Sequence, residues 1–299
     1  MRGNLPMDFR SYFCTHTVCI DGAMGTMLQN SGLPAGTCPE DWNIEQPEKV
    51  SDIHRAYRDA GANLLLANTF GANGIRMKRA KHTVAEAVVS GIELAKQVAS
   101  QADHPCYVAL DVGPLGTFLA PYGDISFDDA VALFTEPIVA AVQAGADCVL
   151  IETMSDISEI SAAVTAAKRC TDLPVLASLS FDKNGRTMMG ATIQQAVEQL
   201  EALHVDAIGA NCSLGPTQLL ELLPQFLCAS HTPLLMMPNA GLPRLVDDKA
   251  VYDVTPEAFS DTMDAIVSAN VRFVGGCCGT TPAHIALLAR CVGMHNAKD

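Results

Sequence analysis

Short apolar runs rich in β-formers alternate along the chain with stretches whose hydrophobic positions recur every three to four residues, and the alternation repeats eight times. The apolar runs are VCIDGAMG (18–25), ANLLLANTF (62–70), YVALDVGP (107–114), CVLIETMS (148–155), VLASLSF (175–181), AIGANCS (207–213), LLMMPNAG (234–241) and RFVGGCCG (272–279). Each is followed by one helical pattern, from PEKVSDIHRAYRDAGA after the second-to-first junction to TPAHIALLARCV at the end. Ser126, Asp156, Thr255 and Thr281 stand where N-caps are needed, with Pro256 and Pro282 at first-turn positions that need no hydrogen bond. Because the runs are nearly continuous rather than alternating, they predict strands buried on both faces, hence a parallel sheet covered by helices. Eight such units in series predict a closed (β/α)8 TIM barrel forming a single domain. An open doubly wound sheet would favour G-x-G-x-x-G after an early strand, and the chain has none.

Composition sharpens this picture. The chain has 299 residues, 49% hydrophobic and 17% charged, which suits a folded chain with a large core and excludes wholesale disorder. A formal net charge of −14 repels polyanions and no basic stripe offsets it, so nucleic acid is not expected as a partner. The basic cluster Arg76, Lys78, Arg79 and Lys81 is expected to be solvated. No apolar run approaches the ~20 residues that cross a bilayer, and the first residues lack the apolar segment of a secretory signal. A cytoplasmic protein that does not enter the membrane is therefore expected. No linker divides the chain, so the barrel is expected over residues 15–292, between an N-terminal extension (1–14) and a C-terminal tail (293–299), both short and frayed.

In a (β/α)8 barrel, chemistry sits at the carboxyl ends of the strands. Those ends carry Asp21 and Gly22, Asn68 and Thr69, Asp111, Glu152 and Thr153, Ser180 and Asp182, Asn211, Cys212 and Ser213, Asn239, and Cys277 with Cys278. Eleven cysteines are too few for a disulfide scaffold of this size. Cys14, Cys19, Cys38, Cys106, Cys148, Cys170, Cys228 and Cys291 are expected to be packed core residues. Cys212 lies two strands from Cys277 and Cys278, roughly 10 Å before side chains lean inward, a gap that ligands ~2.3 Å from one zinc ion can close. Adjacent residues of a regular strand face opposite ways, but the glycines of GGCCG allow the backbone to leave that geometry. Spacing alone leaves three readings open: an open tetrahedral zinc site, packed thiols, or a vicinal redox pair.

These residues resemble those of the homocysteine S-methyltransferase family, a zinc-dependent barrel that also forms the N-terminal module of cobalamin-dependent methionine synthase. The matching segments are DGAMGTML (21–28), ANTFGAN (67–73), DVGPLG (111–116), PYGDISFDDA (121–130), IETMSD (151–156), GANCSLGP (209–216), PNAG (238–241) and GGCCGTTPAHI (275–285), which span almost the whole chain. The resemblance implies methyl transfer to the thiol of L-homocysteine, giving L-methionine. Cys212, Cys277 and Cys278 would be the zinc thiolates. It places substrate recognition at the Asp21–Gly22 turn and at Glu152.

Glu152 is the natural ammonium partner, and the small residues of the Asp21 to Gly25 turn could offer backbone N–H groups to the carboxylate. The plainer alternatives are a turn or cap role for Asp21 and a buried pair with Lys or Arg for Glu152. Asn239 is expected either to form a turn or to lend its amide oxygen as an exchangeable fourth metal ligand. Asp111 and Asn68 are weaker candidates, for the rim facing the methyl donor. Synthases of the cobalamin type carry further folate and corrinoid modules, for which this chain has no room, so the expected donor is a methylcorrinoid on a separate corrinoid protein. Betaine or S-methylmethionine is the alternative, although aromatics for a cation cage are only 5% of the chain and Trp42 sits in a synthase-like loop. A non-catalytic barrel with a structural zinc or a redox cysteine pair stands as the reading from a different class.

Overall fold

A computed structural model describes residues 7–246 and 249–298. Eight parallel strands form one sheet: β1 (Val18–Cys19), β2 (Leu64–Leu66), β3 (Tyr107–Val112), β4 (Cys148–Met154), β5 (Val175–Leu179), β6 (Ala207–Asn211), β7 (Leu234–Met237) and, after the hairpin β8 (Arg244–Val246) and β9 (Lys249–Val251), β10 (Phe273–Val274). Their order is β1-β10-β7-β6-β5-β4-β3-β2. The ring is completed by a parallel bridge between Ile20 and Leu64 and by the Asp21 N–H donating to Leu64 O at 3.0 Å. The eight strand regions read from the apolar runs are all present, and the architecture is the expected (β/α)8 barrel.

Period-two alternation divides each strand between two cores. Val108, Leu110 and Val112 pack outward into the cluster that contains the helices, whereas Tyr107 and Ala109 join Val18, Leu64, Cys148, Leu176, Ala207, Leu235 and Phe273 in a separate cluster inside the barrel. The anticipated caps hold: Ser126 accepts from Asp129 N–H, Asp156 from Ser158 N–H and Thr255 from Ala258 N–H. At Thr281 the backbone N–H donates to Nδ1 of His284 at 3.2 Å.

Four features depart from the expectations. Within the N-terminal extension, whose residues 1–6 lie outside the described ones, helix Phe9–Thr15 is capped by Asp8 and inserts Phe9, Tyr12 and Phe13 into the inner cluster. Its rings meet Tyr107 and Phe273 at centroid distances of 5.2 to 6.2 Å, closing the amino end of the lumen. Two turns are too short for a period to show in sequence. At the other terminus, helix Pro282–Asn296 runs past residue 292, and the Asn296 amide brackets Thr17, accepting from its N–H at 2.8 Å and donating to its carbonyl at 3.0 Å. The connection from β7 carries the unforeseen hairpin, and that from β1 carries helices Met24–Asn30 and Trp42–Glu45 ahead of the expected Pro47–Asp59. Finally, Cys14 and Cys228 are exposed rather than packed, because both sit on the solvent side of their helices. No described helix is long and apolar enough to cross a membrane.

Phe9 is 3% exposed, so Phe9→Ala should leave a cavity under the barrel and cost about 3 kcal/mol. Urea denaturation of the purified variant reads this, with the midpoint falling at unchanged slope.

Candidate active site

The alternation that fills the barrel also furnishes its open end. Continuing the inward parity of Tyr107 and Ala109 brings Asp111 into the lumen, that of Cys148 and Leu150 brings Glu152, and that of Ala207 and Gly209 brings Asn211. Asp111 and Glu152, together with the β1 turn, the β2 end and the cysteines, line a cavity of about 240 Å³, and Asn211 is buried behind them. Its lining includes Gly22 to Thr26, Glu40, Asn68, Phe70, Asp111, Glu152, Thr153, Cys212, Cys277 and Cys278, with no Lys, Arg or His among the described residues.

Cys212, Cys277 and Cys278 converge as their spacing suggested, with all three sulfurs within 4.8 Å of one another and Cys212 Sγ 3.9 Å from Cys278 Sγ. Sulfurs ~2.3 Å from a shared tetrahedral ion lie ~3.8 Å apart, so the trio fits a metal of that geometry. Cys212 reaches the lumen by leaving β geometry, at φ 57°, followed by Ser213 at φ 58°. The glycines before the vicinal pair act by lacking a Cβ: one added at Gly276 would stand 2.5 Å from Thr280 Oγ1. Thr280 in turn fixes the pair, its N–H and hydroxyl both donating to Cys277 O at 3.1 and 2.7 Å. Hydrogen bonding with the Cys212 and Cys277 thiols holds the Cys278 thiol below its ordinary pKa. No fourth Cys or His joins the set among the described residues.

Opposite the sulfurs lie buried carboxyl groups. Asp21 accepts from Leu66 N–H at 3.0 Å through Oδ2, while its Oδ1 is buried without a partner. Asp111 Oδ1 is likewise buried and unpartnered. Burial, with Glu152 close by, pushes both carboxyls well above the ordinary carboxylate range, and burial followed by the Cys212 charge pushes Glu152 up to about 8. Neither plain alternative applies: Asp21 caps no helix, and no Lys or Arg pairs with Glu152 among the described residues. Asn68 lines the cavity, but its amide is spent on the loop below, donating to Pro39 O at 2.8 Å and to Asn43 Oδ1 at 2.9 Å. Gly22 lines the wall, packed so that an added Cβ would lie 2.6 Å from Thr280 Oγ1. Asn239 is 3% exposed, outside the cavity lining, with Oδ1 unpartnered. Trp42 is buried away from the cavity, beneath the Lys49 ammonium at 4.5 Å.

Sequence reasoning missed Glu40 and Tyr252 and gave Asn211 a place at a strand end but no role. Glu40, from the β1 to β2 connection, lines the cavity and accepts from Gly71 N–H and the Cys38 thiol at 2.6 and 2.9 Å. Tyr252, just past β9, lies over Gly279 so closely that a Cβ there would be 2.2 Å from the ring. Asn211 is fully buried and links both sides of the site, its Nδ2 donating to Glu152 Oε2 at 3.1 Å and to Cys277 Sγ at 3.8 Å. Its inward parity was readable; its partners were not.

A sequence model described as homocysteine S-methyltransferase matches residues 18–292. The chain belongs to the homocysteine S-methyltransferase family. Among curated relatives it is 34% identical to the methionine synthase of Mycobacterium leprae (strain TN) and 33% identical to that of Mycobacterium tuberculosis (strain ATCC 25618 / H37Rv), each over 91% of this chain. It spans about a quarter of those proteins, 24% of each. Among solved structures, the homocysteine methyltransferase MmuM from Escherichia coli shares the fold in its oxidized and metallated forms, with TM-scores of 0.78 and 0.76, 24% identity and coverage of 92% of this chain and 95% and 96% of theirs. The family match covers every strand of the barrel and all three cysteines.

A carboxyl whose folded pKa is raised stabilises the fold relative to the unfolded chain below its ordinary value, and that advantage is lost as pH rises through the folded value. For Glu152, with a folded value of about 8, the metal-free and ligand-free protein should therefore lose stability between about pH 5 and 8. Glu152→Gln, which retains an acceptor for Asn211, should flatten that slope in pH-dependent urea melts.

Proposed function

We propose that this barrel transfers a methyl group to the sulfur of L-homocysteine, giving L-methionine, with Cys212, Cys277 and Cys278 holding zinc and with Asp21, Gly22 and Glu152 binding the amino-acid end. The observation that carries this reading is the pairing of a tetrahedral sulfur trio with unpartnered buried carboxyl oxygens across one small cavity. Zinc suits three thiolates, and when bound it supplies a Lewis acid that lowers the pKa of a substrate thiol while leaving the sulfur nucleophilic.

The chain's own residues supply the rest. Buried acids without a basic neighbour become favourable only when a cation arrives, so the empty oxygen of Asp21 and the Glu152 carboxylate select an ammonium. The carboxylate of the substrate falls to the turn from Gly22 to Thr26, where first-turn amides of helix Met24–Asn30 have no intrahelical acceptor. The sulfur forms a bond to the methyl carbon, the bond from methyl to donor breaks with its electron pair left on the donor, and the thiol proton passes to solvent.

Asn239 would lend its amide oxygen to a bound zinc as an exchangeable ligand when no substrate thiol is present. Support for this comes from its orphaned Oδ1 and from its neighbours, since Pro238 O accepts from Cys277 N–H at 2.8 Å and Ala240 N–H donates to Cys278 O at 2.9 Å. The donor is read as a methylcorrinoid carried by another protein, because Phe70 is the single aromatic ring in the cavity lining among the described residues and forms no cage. The carboxyl-rich lining favours a second reading, a free cationic donor such as betaine or S-methylmethionine. A screen of methylcobalamin, betaine, S-methylmethionine and S-adenosylmethionine with zinc-loaded protein and homocysteine separates the two.

Cys212→Ala should lose zinc and homocysteine-dependent methyl transfer while keeping its circular dichroism spectrum; an unfolded variant would instead favour a structural zinc. Asp21→Asn should raise KM for homocysteine about 10- to 150-fold, the worth of a hydrogen bond to a charged group, with zinc content measured alongside and unchanged.

A further inference from the structure

The Asn211 side chain has every polar atom committed. Its Oδ1 accepts from Thr153 N–H and from Ser178 Oγ, both at 2.7 Å. Those two donors fix the amide orientation, so Nδ2 must face the other way, toward Glu152 Oε2 (3.1 Å), Thr153 Oγ1 (2.6 Å) and Cys277 Sγ (3.8 Å). Thr153 is held at φ 58°, where the register of β4 against β5 shifts between Ile151 and Met154. A bulge at a strand end re-aims the neighbouring side chain, here Glu152. One amide thus clamps the bulge that aims the carboxylate, contacts that carboxylate, and contacts a sulfur of the trio.

We propose that Asn211 is a positioning residue that sets the distance between the ammonium site at Glu152 and the thiol site at Cys277, and thereby selects an α-amino thiol of homocysteine's length over cysteine. This rests on the homocysteine reading above. Cysteine is shorter by one methylene, ~1.5 Å of bond length, and one missing methylene is worth about 10- to 200-fold in discrimination. A site whose two ends were fixed independently would blur that difference; a shared side chain keeps both ends in register. Ser178, fully buried beneath the amide, supports the arrangement without lining the cavity.

The test measures binding of L-homocysteine and L-cysteine to the zinc-loaded full chain by calorimetry, methyl transfer to each, and zinc retention against a chromophoric chelator, in wild type, Asn211→Ala and Ser178→Ala. Both variants should shrink the homocysteine-to-cysteine ratio, about tenfold for Asn211→Ala and less for Ser178→Ala, chiefly through weaker homocysteine binding. Asn211→Ala should also release zinc faster, having lost its N–H to Cys277, whereas Ser178→Ala should not. If both thiols weaken by the same factor in the folded variants, the spacing role is overturned and Asn211 is merely structural. If wild type binds neither thiol, the homocysteine reading fails first and the spacing role falls with it, an outcome distinct from an unchanged ratio in the variants.

Discussion

A closed ring of parallel strands has an inside that must be filled from the strands themselves, and every second residue is committed to it. Here that constraint divides the lumen along its axis. At the amino end the inward positions are Val18, Leu64, Tyr107, Cys148, Leu176, Ala207, Leu235 and Phe273, sealed below by Phe9, Tyr12 and Phe13. Two to four residues further along the same strands, the inward positions become Asp111, Glu152, Ser178 and Asn211. The apolar plug fixes strand register, and register fixes which polar groups meet at the open end, since a slip of one residue would turn Asp111 and Glu152 outward into the helical layer.

The polar end is unusual in its electrostatics. Asp21, Asp111 and Glu152 are buried, burial first of all raises the pKa of each, Glu152 adds to the rise at both aspartates, and among the described residues no Lys, Arg or His lines the cavity to neutralise them. A fold that needed these groups only for stability would be better served by amides or apolar residues, because an unpaired buried carboxyl costs more than it returns. Their retention makes sense where a positively charged ligand completes them. The sulfur trio opposite supplies the complementary demand, a place for a divalent cation. A zwitterionic thiol carries an ammonium for one side and a sulfur for the other, which is why the two halves of the cavity read together more sharply than either does alone.

Much of this was legible in the residues. The eight apolar runs gave the strands, and the carboxyl-end rule gave Asp21, Glu152 and the three cysteines, because barrel topology needs only local periodicity repeated in series. Contributions from connections were hidden: Glu40 and Tyr252 arrive on segments whose path depends on contacts far apart in the chain, such as the Glu40 carboxylate with Gly71 N–H. Helix Phe9–Thr15 was hidden by its length. Asn211 was visible as a polar residue at a strand end, but its importance lies in an amide orientation set by Ser178 and Thr153, and no one-dimensional pattern encodes that. Asp111 was read as a weaker candidate, for the rim facing the methyl donor, and the alternation of β3 carries it into the lumen.

The sulfur trio shows what the site asks of the backbone. By parity, Cys277 faces inward with Phe273 and Gly275, but Cys212 follows Ala210 and Ile208 on the outward side, and Cys278 follows Gly276 and Val274. Two of the three sulfurs must therefore be turned against the alternation that built the barrel. At Cys212 this takes two consecutive residues in the left-handed region, of order 1–3 kcal/mol each for side chains that are not glycine. The continuation of β7, which lies between the two cysteine-bearing strands, holds both segments in place. Cys212 N–H donates to Met237 O at 3.1 Å, Asn239 N–H to Leu214 O at 2.9 Å, Cys277 N–H to Pro238 O at 2.8 Å and Ala240 N–H to Cys278 O at 2.9 Å. Main-chain bonds from one segment thus fix the separation of the three sulfurs, so the strain of turning them against the alternation is borne by the barrel itself.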